Sequence, residues 1–177
     1  MLIALAGLPG SGKSTLAVAL ARRIGAVHLR IDSIERAIAA SSLRVDRAED
    51  AGYLAAYAVA ADNLRVGRTV VADCVNPLDI TRTAWRAVAA ETGCEAVEIE
   101  VICSDEVEHR RRVEQRAADF PGEGCPDWRA VQDREYEGWA RDRIVVDTAH
   151  LTTEEAVESL ARRVKIQSRL AKPVPIL

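Results

Sequence analysis

The chain has 177 residues, 49% hydrophobic and 29% charged, with a formal net charge of -3. That length suits one domain able to bury a core without disulfides or metals, and the composition excludes a disordered polymer and a membrane-spanning bundle. The acidic balance supplies no global field for nucleic acid or anionic lipid, and Cys74, Cys94, Cys103 and Cys125 form no C-x-x-C pair and read as reduced thiols.

The first residues are apolar and run directly into a glycine turn with no basic segment ahead of them, so no signal peptide is expected and the expected location is cytoplasmic. Residues 2–6 read as a buried strand ending at Gly7, and 13–24 as an alanine-rich helix ending near Gly25. A second strand over 26–31 ends at Asp32, followed by helices over 33–40 and 50–66. A third strand, 69–72, ends at Asp73. Asn76-Pro77 predicts a helix to about residue 91, with Asn76 as N-cap and Pro77 at the first helical position.

A fourth strand follows Gly93 over 96–102. Ser104, Asp105 and Glu106 then cap an arginine-rich helix to about Ala118, which the turn residues of 120–126 interrupt. A helical piece over 127–140, a fifth strand over 143–147 and a helix capped by Thr152 and Glu155 bring the chain to about Val164. Residues 165–177 read as a docked or frayed extension. The strand–helix alternation predicts an α/β domain over 1–164 with a mainly parallel sheet.

Gly7, Gly12, Lys13 and Ser14 match G-x-x-x-x-G-K-[ST] between a strand and a helix. The glycines let Gly10, Ser11 and Gly12 turn their N–H groups toward phosphate oxygens, and the helix that follows adds its positive end. Lys13 can reach the β- and γ-phosphates, Ser14 can ligate magnesium, and Thr15 adds a second hydroxyl. A guanine-specific switch is excluded because the sequence has no N-K-x-D element. Water-activating ATPases usually carry a glutamate after the aspartate that ends the third strand, and here Cys74 follows Asp73.

Phosphoryl transfer to a bound acceptor remains, and it needs a base, metal electrostatics and cationic groups. Asp32 is the candidate base, with an N-cap role as the competing reading given the Asp32-x-x-Glu35 spacing. Asp73 is a candidate for holding magnesium-bound water or the acceptor, or is a turn former. Arg36 can face an anionic substrate group or solvent; Asn76 is a cap or a substrate contact; Arg82 is a weaker candidate. Arg112 and Arg116 share a helical face at i,i+4 and are the candidate cationic pair, although Glu106–Arg110, Glu108–Arg112 and Arg110–Glu114 have ion-pair spacing. His28, His109 and His150 are dispersed and read as satisfied or solvated, and Trp128 is a candidate substrate wall.

With Gly-Leu-Pro-Gly-Ser-Gly-Lys-Ser-Thr at 7–15, Asp32, Asp73 and the arginines of 110–116, the chain resembles the small P-loop kinases. It is most similar to the branch containing chloramphenicol phosphotransferase, gluconate kinase, adenylylsulfate kinase and the kinase domain of polynucleotide kinase. The resemblance implies a three-layer sandwich with a five-stranded parallel sheet of order 2-3-1-4-5. It further implies an ATP site at Gly10 to Thr15, an acceptor base at Asp32, a lid within about 104–126, and Asp147-Thr148 near the adenine. The expected activity is magnesium-dependent transfer from ATP to a small hydroxylated molecule by a monomer or homodimer. A mononucleotide or nucleic-acid-end kinase, or an ATP-binding regulatory protein, are the alternatives.

Overall fold

A computed structural model describes residues 1–42, 50–119 and 125–163. Five parallel strands form one sheet: β1 (Leu2–Ala6), β2 (Val27–Arg30), β3 (Val70–Asp73), β4 (Ala96–Ile102) and β5 (Ile144–Asp147), in the order β2-β3-β1-β4-β5. The helices are α1 (Lys13–Ile24), α2 (Ile31–Ala39), α3 (Ala51–Arg65), α4 (Asp79–Glu91), α5 (Glu106–Asp119), α6 (Trp128–Gln132) and α7 (Thr153–Arg163). The expected sheet order is the observed one.

Because strand side chains alternate between faces, the central strand β1 feeds two cores. Leu2 and Ala4 join Ala56, Ala60, Leu64, Trp85 and Val88 of α3 and α4, while Ile3 and Leu5 join Leu16 and Leu20 of α1 and Val157 and Leu160 of α7. The result is helix, sheet, helix in three layers. Trp85 is fully buried and meets the Tyr57 ring edge-on at 4.6 Å, so it is core. The four thiols are unpaired, with Cys74 and Cys103 buried. Among the described residues no helix is long and apolar enough to cross a membrane.

Several local expectations give way to tertiary contacts. The second strand ends at Arg30, so Asp32 lies in the first turn of α2 and not at a strand end. Asn76 is not a helix cap: α4 begins at Asp79, and Asn76 has φ 51, in the left-handed region. The carbonyls of Asn76 and Pro77 that a helix would use accept hydrogen bonds from Arg82 at 2.9 and 2.8 Å. The expected helix over 127–140 is only Trp128–Gln132, because Arg82 also takes the Glu137 carbonyl at 2.8 Å and lies against the Tyr136 and Trp139 rings. Asp105, rather than Ser104, caps α5 by accepting from the Glu108 amide at 3.0 Å.

The capping box of α7 is present: the Thr152 amide donates to Glu155 at 2.9 Å and the Glu155 amide to the Thr152 hydroxyl at 3.2 Å. Thr152→Ala is expected to lower stability by about 1 kcal/mol, with Thr152→Ser restoring most of it, as measured by urea denaturation. Residues 120–124 of the turn expected at 120–126, and the extension at 165–177, lie outside the described residues.

Candidate active site

The phosphate loop begins where β1 ends. Gly7 has φ 150, and a Cβ there would strike the Val101 carbonyl oxygen; Gly10 has φ 83, and its Cβ would stand 2.5 Å from a Val113 methyl of α5. Side chains are thus excluded by space as well as by conformation. α1, which follows, has no acidic residue in its first turn and no side-chain N-cap. Its first amides have no intrahelical acceptor, so they and the helix dipole are left for an anion. The Ser11 hydroxyl is buried with no hydrogen-bond partner, a donor set aside in the same turn.

Lys13 is only 4% exposed. Burial pushes its ammonium below the ordinary value, Asp73 and Asp32 oppose that shift, and Arg116 adds to it. Asp73, 1% exposed, accepts from the Ser14 hydroxyl at 3.1 Å on one oxygen and meets His28 Nε2 at 3.3 Å on the other. Burial pushes the Asp73 carboxyl up, but His28, Lys13 and Ser14 together outweigh it and hold the group below its usual range. An anionic carboxylate beside a serine hydroxyl at a helix N-terminus is an oxygen donor set suited to a hard divalent cation. These residues fit a triphosphate with magnesium.

Asp32, in the first turn of α2, stands beside this cluster. Its carboxylate takes a hydrogen bond from Arg30 at 2.8 Å, and Arg116 of α5 approaches the same oxygen at 3.8 Å. Arg30 also lies 3.8 Å from Asp73, so one guanidinium spans both acids. Arg36 turns back to the Asp32 carbonyl at 3.3 Å. Asn76 is buried beside the loop: its amide donates to the Tyr53 hydroxyl at 3.1 Å and its side-chain oxygen has no partner.

The two candidate lid arginines face different groups. Arg112 binds Glu108 at 2.8 Å, the Thr148 hydroxyl at 2.8 Å and the Thr148 carbonyl at 3.1 Å. Thr148 in turn donates to the Ser11 carbonyl at 2.8 Å. Beside this pair lies a cavity of about 150 Å³ lined by Gly12, Thr15, Leu16, Arg112, Thr148 and Leu151 among others. Arg116 alone reaches toward Asp32. Trp128 packs edge-on against His109 of α5, with centroids 5.2 Å apart.

Sequence reasoning did not single out Arg30, and it read His28 and His109 only as satisfied or solvated. The signal for the first two was available in Val27-His28-Leu29-Arg30, where the polar residues share one strand face and Arg30 pairs in register with Asp73. For His109 it lay in the spacing His109, Arg112, Val113, Arg116, one face of a helix.

A glycine loop entering α1, carboxylates on the elements beside it and this sheet order define a P-loop kinase fold. Residues 2–134 match the AAA domain family, and the chain belongs to it. It is similar to adenylylsulfate (APS) kinase of Mycobacterium tuberculosis, solved with AMPPNP and APS, at 18% identity and TM-score 0.69, over 93% of this chain and 96% of that one. Kti12 of Chaetomium thermophilum, solved with ADP-AlF3, is 20% identical with TM-score 0.69, over 92% and 98% of the chains. A gluconokinase of Sinorhizobium meliloti is 20% identical with TM-score 0.61, over 94% and 96%. At such identities the likeness is one of fold. No curated protein matches the chain.

Proposed function

We propose that the protein is an ATP-dependent phosphotransferase that moves the γ-phosphoryl group to a hydroxyl of a small molecule. The observation that carries the reading is the convergence of Lys13, Asp73, Asp32 and Arg116, with Cys74 where a water-activating glutamate would stand. Gly10, Ser11, Gly12, Lys13, Ser14 and Thr15 hold the phosphates, and the cavity beside Thr148 and Arg112 receives the base. Ser14 and Asp73 would hold magnesium, which when bound neutralises charge on the phosphate oxygens. Asp32 orients the acceptor hydroxyl and takes its proton as oxygen attacks phosphorus; the bond from phosphorus to the β–γ bridging oxygen breaks and ADP leaves. Lys13 and Arg116 stabilise the charge on the transferring group. Arg36, Asn76 and Trp128 are the further acceptor-side candidates, and a cytoplasmic location belongs to the same reading.

The test is a panel of hydroxylated metabolites and nucleosides assayed for stimulated ADP release. One or a few acceptors are expected to raise release well above the unstimulated rate. Release that no acceptor raises counts against a kinase. It would then favour the second reading, an ATP-binding regulatory protein, which the 2.8 Å ion pair occupying Asp32 also fits.

A further inference from the structure

We propose that His109 is a positioning residue that fastens α5 to the crest of the phosphate loop, making α5 a fixed wall of the nucleotide site and not a freely hinged lid. His109 is 8% exposed, and its Nε2 lies 2.8 Å from the Pro9 carbonyl, 100 residues earlier in the chain. A carbonyl only accepts, so the ring must carry its proton on Nε2. Proline has no N–H, so the loop offers only an acceptor at this point, and a donor on α5 is the matching partner.

The fit between this helix and the loop is close. Val113, one turn beyond His109, occupies the space where Gly10 would carry a side chain, and His109 itself comes within 3.1 Å of that position. Trp128 packs edge-on against the imidazole, with centroids 5.2 Å apart. A second tie runs from Arg112 through the Thr148 hydroxyl to the Ser11 carbonyl. The same helix is thus held to the loop at Pro9 directly and at Ser11 through Thr148. Arg116, one turn past Arg112 on the same helix, inherits its place near Asp32 from these two anchors.

The consequence is that loop conformation and arginine placement are set together before nucleotide arrives. Removing the Pro9 tie frees the loop to sample other conformations, and the binding-competent fraction falls. This inference rests on the nucleotide-binding part of the proposed function and needs no phosphotransfer.

The experiment compares His109→Leu, which keeps bulk without a donor, with His109→Gln, whose amide can still donate. Affinity for AMPPNP with magnesium is measured by calorimetry, and amide hydrogen exchange is followed in the protein without nucleotide. His109→Leu is expected to weaken AMPPNP about tenfold, and His109→Gln to remain within about threefold of wild type. Exchange in the leucine variant is expected to quicken in residues 7–14 and in α5 while the sheet stays protected. Leucine binding like wild type, glutamine losing as much as leucine, or exchange quickening throughout the sheet would each overturn it. Wild-type protein that binds no AMPPNP would instead sink the nucleotide reading itself.

Discussion

Replacing Asp32 by asparagine is expected to lower acceptor-dependent phosphotransfer by about 100- to 10 000-fold, the range for losing a positioned general base, or about 3–5 kcal/mol of barrier. Asparagine keeps the shape and can still accept from Arg30, so the fold around α2 should persist. What it cannot do is take the acceptor's proton. Two effects on nucleotide binding oppose one another. Removing a negative charge near the phosphates favours the anion, while Lys13 loses one of the carboxylates that support its ammonium. AMPPNP affinity should therefore change by no more than about threefold. Steady-state phosphotransfer and calorimetric binding on the same preparation make the comparison. Full activity in the Asp32→Asn variant would exclude Asp32 as the base, and retained biological activity would favour the regulatory reading.

Arg30 sharpens that expectation. It bridges Asp32 and Asp73, so the acid proposed as base is already paired in the protein alone. An acceptor hydroxyl has to compete with this guanidinium for an oxygen or use the remaining lone pairs. Such pairing holds the carboxylate in one place, which favours orientation of the acceptor. On this account Asp32 acts chiefly in the transition state, and a loss in kcat is expected without a large rise in acceptor KM.

The phosphate loop was legible from residues alone because it is local chemistry: a glycine turn, a lysine and a serine hydroxyl within eight positions. Parallel strands also place Asp73 beside the loop without knowledge of distant contacts. Legibility fails where long-range partners decide. Asn76-Pro77 carries a good helix-start signal, yet Arg82 withdraws both carbonyls and moves the start to Asp79. The histidines looked dispersed because sequence distance hides the strand register that brings His28 to Asp73 and the packing that brings His109 to Pro9. Arg112 and Arg116 share a face as their spacing requires, but Glu108 and Thr148 draw the first away from the second. Spacing fixes where a long side chain starts and not where it ends.

Arg82 gives the largest expected effect on stability. Its side chain is fully buried, and its partners among the described residues are carbonyls and aromatic rings: Asn76, Pro77 and Glu137 at 2.8–2.9 Å, Gly138 at 3.4 Å, and the Trp139 ring at 4.2 Å. A buried cation in such a cage joins two segments, the β3–α4 connection and 136–139. Glu137 adds two further ties, its amide donating to the Pro77 carbonyl at 2.9 Å and its carboxylate accepting from the Asp79 amide at 2.6 Å. Arg82→Ala leaves several buried carbonyls without a donor and a cavity between two rings, and should cost about 3–5 kcal/mol in urea unfolding. Lysine keeps the charge but cannot fork to carbonyls on both segments, so Arg82→Lys should recover less than half of that loss. Because the cage fixes Asn76, variants that still fold should show a raised acceptor KM while AMPPNP binding, which depends on the loop at 7–15, stays near wild type. Equal unfolding midpoints for Arg82→Ala and wild type would show that the cage does not hold these segments, and the acceptor side would have to be anchored by Tyr53 instead.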